Sequence, residues 1–322
     1  MDVLEYRRQY AERLRRAAEE QREGYRAFLD KSKPAHERLR GLESAGALAG
    51  RAEVAEMIAT IDDREEDAEL RAAALNPIVV GQDPDLAIDL LHDSTEPTVV
   101  RLAALQGLQA NSFRTAAFSP KRPEYLAVLR AIIGEPDPSL RQVALEVLAQ
   151  HKDEYVQRRL LEGLEDPSQA LVPPETAVRL LGYDIHAEHY PILRDMVQNP
   201  PSPEAKLEAV RLLASDPTSK ELLVGVLNDK AEDPEVRQAS ASALLPLAPA
   251  EFEEQAKQIV LDDEEDDDLR ATAMTALTHF ADQEALSQDA ELTRHVEQLR
   301  DQSPSNEVAS AAVRFLSRQG EQ

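Results

Sequence analysis

Apolar residues recur along most of this chain with a helical period, and they do so in a fixed frame. In Asp137-Pro138-Ser139-Leu140-Arg141 a leucine precedes an arginine, with Ala144 three residues further on and Leu148 seven further on. The frame returns at Asp233-Pro234-Glu235-Val236-Arg237 with Ser240 and Leu244, and at Asp266 to Arg270 with Leu269, Ala273 and Leu277. Earlier copies read Leu70-Arg71, Ala74, Ile78 and Val100-Arg101, Ala104, Leu108. Weaker copies centre on Lys206 (Ala209, Leu213) and Ala309 (Ala312, Leu316); Pro174 fills the basic slot of another, which keeps Ala177 and Leu181. The eight anchors, at 71, 101, 141, 174, 206, 237, 270 and 309, stand 30 to 40 residues apart. On a helix the residue before the anchor, the small residue and the leucine share one face, and the small residue lets a neighbour approach. Each period also holds a preceding helical stretch, as around residues 124–133, and a short acidic turn. One such pair cannot cover its own apolar stripe, so its neighbours must. The period predicts a stack of two-helix modules.

Composition agrees. Aromatics make up 4% of the 322 residues, with no Trp and 11 Gly, which is thin for an all-β fold. The 20 prolines fit a chain of many short helices, because proline is accepted at the first helical position. Five Asp-Pro pairs, at 83–84, 137–138, 166–167, 216–217 and 233–234, support this, and at least those before Ser139 and Glu235 read as cap-then-proline starts.

The Asp-Pro-x-(Val/Leu)-Arg frame with its trailing Ala and Leu resembles the HEAT-repeat family, particularly its compact bacterial branch, over about 51–319. The resemblance implies an all-α, right-handed α-solenoid of about eight helix pairs, with residues 1–50 as an N-terminal helical cap and 51–322 as the repeats. It also implies a ladder between turn aspartates and helix arginines. Here the acids would be Asp67, Asp137, Asp233 and Asp266, and the bases Arg71, Arg101, Arg141, Arg237 and Arg270. Pro97, Ser202 and Ser305 depart from the acid slot, and Pro174 and Ala309 from the basic one, so the ladder is expected to break around 166–176. Tetratricopeptide repeats share the length, but their Trp and Gly-Tyr signature is missing.

Charge narrows the function. Sixty-one acids against 36 bases give −25, the wrong sign for a general nucleic-acid binder. Residues 1–40 are the exception, with eleven bases and eight acids. There Tyr6, Tyr10, Leu14 and Ala17 fall on one stripe that Tyr25 and Phe28 continue. That stripe is expected to cap the first repeat, with dimerisation or docking as the alternative; heptad spacing fails at Arg7 and Gln21. The loop from Asn111 to Pro123 is basic and aromatic in an acidic body, which makes Phe113, Phe118, Lys121 and Arg122 contact candidates. The longer interval near 281–289 reads as an extended turn. Seven consecutive acids, Asp262 to Asp268, read as a solvated turn leading into a helix N-terminus, where the macrodipole favours negative charge. They lack the interleaved glycine of a calcium loop.

A search for chemistry yields little. The chain has no cysteine, which removes thiol catalysis and cysteine-held metals. Asp184, His186, Glu188 and His189 form the one histidine cluster, two ligands short of a convincing metal site. No phosphate loop, dinucleotide fingerprint or nucleophile elbow occurs. Hydroxylases of HEAT-like architecture hold iron through several His-Glu dipeptides, and His36-Glu37 is the sole example here. Neither a metal nor a cofactor is expected. No apolar run approaches the roughly 20 residues of a membrane span, and the start has no apolar signal core, so a cytoplasmic location is expected.

The expectation is therefore a non-catalytic scaffold or adaptor that binds another protein or peptide segment, with no direct nucleic-acid or membrane contact. Its concave ridge would comprise the residues five after each anchor: Asn76, Gln106, Glu146, Arg179, Arg211, Ser242, Thr275 and Arg314. Arg179 and Arg211 would grip carboxylates of a polar or acidic segment. Two alternatives stand beside it: a lyase-like HEAT-repeat enzyme or enzyme subunit, and an acidic partner or inhibitor of a basic, nucleic-acid-binding protein.

Overall fold

A computed structural model of the chain describes residues 3–45, 51–112 and 118–320, and among these every regular element is helical. The chain divides into two compact units, Met1–Val156 and Gln157–Gln322. The first holds α1 (Val3–Leu29), α2 (Ala35–Ala45), α3 (Arg51–Asp62), α4 (Ala68–Ala74), α5 (Pro77–Gln82), α6 (Pro84–His92), α7 (Thr98–Ser112), α8 (Arg122–Ile132) and α9 (Pro138–Gln150). After α10 (Glu154–Glu165), the second holds α11 (Pro174–Leu181), α12 (Tyr190–Gln198), α13 (Pro203–Leu212), α14 (Lys220–Asn228) and α15 (Pro234–Leu247). It continues with α16 (Pro249–Leu261), α17 (Asp267–Phe280), α18 (Gln283–Gln288), α19 (Ala290–Gln302) and α20 (Asn306–Gly320).

Within each unit the helices form two layers. In the second unit α11, α13, α15, α17 and α20 lie side by side in chain order, and α12, α14, α16 and α19 pack behind them. In the first, α2, α4, α7 and α9 make the corresponding row, backed by α1, α3, α6 and α8. The sequence frame explains the packing. Leu70 and Ala74, Leu140, Ala144 and Leu148, Val236 and Leu244, and Leu269, Ala273 and Leu277 are all buried along the shared face. A leucine so placed contributes roughly 1.5–3 kcal/mol. Ser240, the polar member of the small slot, is accommodated by donating to the Leu223 carbonyl at 2.7 Å. The closest approach joins α1 and α2, where a Cβ on Gly41 would lie 2.6 Å from the Gly24 carbonyl oxygen.

The polar turns are built on a repeated plan. Asp63, Asp93, Asp229 and Asp262 each accept the amide two residues further on, which closes the turn. Asp67, Asp137, Asp233 and Asp266 cap the helices that follow, accepting first-turn amides. These four are therefore not the acid rungs of the ladder. Glutamates are. Arg71 pairs with Glu96 at 2.8 Å, Arg101 with Glu135 at 2.6 Å and Arg237 with Glu265 at 2.7 Å, each pair linking one module to the next. Lys206 pairs with Glu232 in the same way. Each of these arginines also donates Nε to the carbonyl ten residues earlier: Arg71 to Ile61, Arg101 to Leu91 and Arg237 to Leu227. The aspartates four before the anchors accept amides of their own helices, while these glutamates bond the buried base of the preceding module. Arg270 bonds the Asp262 and Glu265 carbonyls and Asp267 instead, and the next copy carries Pro304 where the glutamate would stand.

The plan starts earlier than the sequence frame suggests. Arg38 donates Nε to the Phe28 carbonyl at 2.7 Å and pairs with Glu66 at 2.9 Å. The pair α1–α2 thus carries the same buried arginine as the modules after it. Two further differences are local. The helix begun at Ala68 stops at Ala74, because Asn76 accepts the Ile78 and Val79 amides and Pro77 starts α5. The expected extended turn near 281–289 contains α18, which Asp282 caps through Glu284 and Ala285.

Candidate functional site

The ridge residues expected from sequence divide by structural role. Asn76 is spent as the cap of α5 and is half-buried, which removes it from any exposed ridge. Gln106 on α7 is exposed, and Glu146 on α9 accepts from Gln142 at 3.4 Å. Arg179 is exposed on α11. Arg211 on α13 is held by Glu208 at 2.7 Å and Glu235 at 3.3 Å, so its guanidinium already engages two carboxylates. Ser242 bonds back to the Gln238 carbonyl and Thr275 to that of Ala271, each one turn earlier.

Of the loop candidates, Phe113 lies outside the described residues. Phe118 is 3% exposed and packs edge-on against Tyr125 with ring centroids 5.5 Å apart, which corrects its placing as a surface contact. Burial holds the Tyr125 hydroxyl in its protonated form well above the usual range. Lys121 pairs with Asp85, and Arg122 donates to the Ser112 carbonyl at 3.2 Å. Lys121 and Arg122 are thus engaged within the chain.

Four expected residues do border open space in the second unit. A groove of about 670 Å³ runs over α15, α17 and α20, with Thr275 and Arg314 in its walls. A second, of about 280 Å³, is lined by Arg211 and Ser242, and Gln238 borders both. The larger groove has an apolar floor of Leu245, Ala271, Ala276 and Phe280. Phe280, the last residue of α17, is 66% exposed. The rim carries Asp268 and Glu307 on neighbouring helices. Their side chains hydrogen-bond, and that bond with the Asp268 charge raises the Glu307 pKa above the ordinary carboxyl value. Sequence alone could not find this pair, since 39 residues separate its members.

The histidine cluster is a folded turn. The His186 amide donates to His189 Nδ1 at 3.2 Å, and His186 Nε2 lies 3.2 Å from Asp184. Burial and then the neighbouring His186 lower the pKa of His189. Among the described residues no group of three or more His, Cys, Asp or Glu is placed to hold a metal ion. None of their helices is long and apolar enough to cross a membrane.

No family model matches this chain, and no curated protein matches it. Among solved structures it is similar to human deoxyhypusine hydroxylase in complex with glycerol, at 18% identity, over 95% of this chain and 98% of that chain, with a TM-score of 0.32. The expectation that this chain is not an enzyme is corrected on that finding, since the protein it resembles is an enzyme by its title. A likeness of that degree assigns no activity here.

Proposed function

We propose that this chain is a HEAT-type helical-repeat protein that grips a segment of a partner protein in the groove over α15, α17 and α20. The stacked frame, the two helix layers and the buried arginine–glutamate ladder support the repeat class. The groove supports the binding role. Its apolar lining around Phe280 suits an aliphatic or aromatic side chain, and the Asp268–Glu307 pair toward the other end of α17 suits a lysine or arginine several residues away in the same segment. A basic segment also suits a chain of net charge −25. Arg211, the base that would have favoured an acidic segment, is already taken by Glu208 and Glu235.

The carrying observation is one groove that carries a carboxyl pair at one end of α17 and an exposed phenylalanine at the other, about 18 Å apart along the helix. It is tested with two labelled peptides that share an amphipathic pattern and differ in bearing lysine or glutamate, read by fluorescence anisotropy. The lysine peptide binds, and it loses roughly tenfold in affinity in Phe280→Ala and in Asp268→Asn/Glu307→Gln. Preference for the glutamate peptide, or indifference to all three substitutions, defeats the reading.

One observation favours a second reading, proton-transfer chemistry in the same groove: a carboxyl group whose pKa a neighbouring acid raises, as Asp268 raises that of Glu307, is the raw material of acid–base catalysis. Native mass spectrometry decides for it if a small molecule copurifies with the protein and is absent from Glu307→Gln.

A further inference from the structure

We propose that the partner segment lies along α17 in a polyproline-type conformation and carries a base, an acid and an apolar residue at every third position. The inference rests on the groove over α15, α17 and α20 being the binding site, and it specifies what fills that groove. Three contacts set the levels of the lining. Asp268 hydrogen-bonds Glu307, and eleven residues later on both helices His279 stands 3.4 Å from Arg318, so α17 and α20 run parallel and in register. Gln238 donates to Thr272 at 3.2 Å, which fixes the level of α15.

One end of the groove then holds Asp268 and Glu307. Arg314 follows seven residues beyond Glu307, about 10 Å along α20. It is exposed, and among the described residues no acid holds it, whereas Arg211 is held by two. Leu245, seven residues beyond Gln238, comes within about one residue's rise of the level of Phe280, which stands twelve beyond Asp268, about 18 Å along α17. The lining thus offers a site for a cation, one for an anion and an apolar end, in that order.

A polyproline helix rises about 3.1 Å per residue with three residues per turn, so its positions one, four and seven face the same way at roughly 9 and 19 Å from the first. A flat β-strand fails, because its fourth residue faces away from its first. An α-helix reaches the same levels with residues one, eight and twelve. The lining between the charged levels favours the polyproline form. Gln238, Thr272 and Ser310 stand there, an amide and two hydroxyls. An α-helix bonds its own backbone and presents none of it to them, whereas a polyproline chain leaves every carbonyl open. Gln238 keeps a second amide N–H for such a carbonyl after its bond to Thr272.

Fluorescence anisotropy on the full chain tests this with two labelled designs. One has the core Lys-Pro-Pro-Glu-Pro-Pro-Leu, made in both chain directions. The other sets lysine, glutamate and leucine at positions one, eight and twelve of an alanine-rich helix. The proline peptide binds in one direction, roughly tenfold or more tighter than the helical one. Arg314→Glu weakens it roughly tenfold, and lysine in place of the peptide's glutamate recovers the loss. Gln238→Ala/Ser310→Ala also weakens it. Preference for the helical peptide, or a proline peptide indifferent to Arg314→Glu, overturns this inference and leaves the groove as the site. Failure of both designs to bind, or binding that Phe280→Ala does not change, defeats the groove reading with it.

Discussion

Replacing Arg237 by methionine removes the most fully paired rung of the ladder in the second unit. The guanidinium is buried, donates Nε to the Leu227 carbonyl at 2.8 Å, and forks onto both Glu265 oxygens at 2.7 Å. Methionine fills much of the same volume but leaves a buried carboxylate without its counter-charge and a carbonyl without its donor. Breaking a buried pair in this way costs about 3–5 kcal/mol. In a unit of this size that corresponds to a fall in melting temperature of roughly 6–20 °C. The exposed rung beside it is the control: Lys230 pairs with Asp262 at 2.6 Å in solvent, and Lys230→Met costs about 0–1 kcal/mol. Because the loss at Arg237 is mostly an uncompensated charge, Arg237→Met/Glu265→Met recovers most of it, to within about 1 kcal/mol of wild type. Urea titrations of wild type, Arg237→Met, Glu265→Met and Arg237→Met/Glu265→Met give the coupling energy. Hydrogen exchange places the loss in α14, α15 and α17 and leaves the first unit protected as before. A single-variant cost under about 1 kcal/mol, or a double variant at the sum of the two singles, refutes the assignment of the ladder as a buried, mutually dependent pair.

Acid tests the same rungs. The Arg38 bond holds Glu66 below the usual carboxylate range; at Glu265 burial pushes upward, but the Arg237 and Asp266 bonds outweigh it. Both folded pKa values lie below the unfolded ones, so the stabilisation is present above about pH 4.3 and is lost as pH falls through the folded values. Below that pH the urea midpoint of Arg237→Met/Glu265→Met therefore falls less steeply than that of wild type. Gly41→Ala forces α1 and α2 apart, because the new Cβ would lie 2.6 Å from backbone oxygen, and costs about 1–3 kcal/mol by thermal melting. Binding of a lysine peptide in the groove weakens as pH drops through the raised pKa of Glu307, because the proton neutralises the carboxyl that the cation needs; Asp268 and Arg314 complete the facing charges. Anisotropy across acidic pH checks this, and a flat profile removes Glu307 from the site.

The buried faces could be read from sequence because burial leaves few choices: a stripe of Leu, Ala and Leu at offsets of minus one, three and seven has one simple explanation. The rungs could not, because acids crowd the turns and their spelling does not say which of two neighbours reaches where. A signal was available. Glu66, Glu96, Glu232 and Glu265 each stand five before an anchor, at 71, 101, 237 and 270, an offset that the capping aspartates mask by preceding the anchor by four. Arg38 likewise stands 33 residues before Arg71, with Gly41 and Ala45 at the small and terminal slots, but Glu37 in place of an apolar residue hides the frame. The groove had no such signal. Asp268 and Glu307 meet only through packing of α17 on α20, Phe280 borders the same groove from the far end of α17, and no periodic rule relates them.

The ladder also changes what the acidity means. In the run Asp262 to Asp268, Asp262 closes the turn and holds Lys230, Glu265 holds Arg237, Asp266 caps α17 and Asp267 holds Arg270. A basic partner drawn to this turn would compete with cations already supplied by the chain itself. Much of the net charge therefore follows from repeating a turn that needs an acid to close it, one to cap a helix and one to meet the previous module. Asp268 is different, because its neighbour in the groove is another acid, Glu307, whose ionised form its charge repels, where the others attract a base. A cation brought by another molecule relieves that repulsion, whereas at the ladder it could only displace a partner. The place to look for an electrostatic role is thus the groove, and not the longest run of acids.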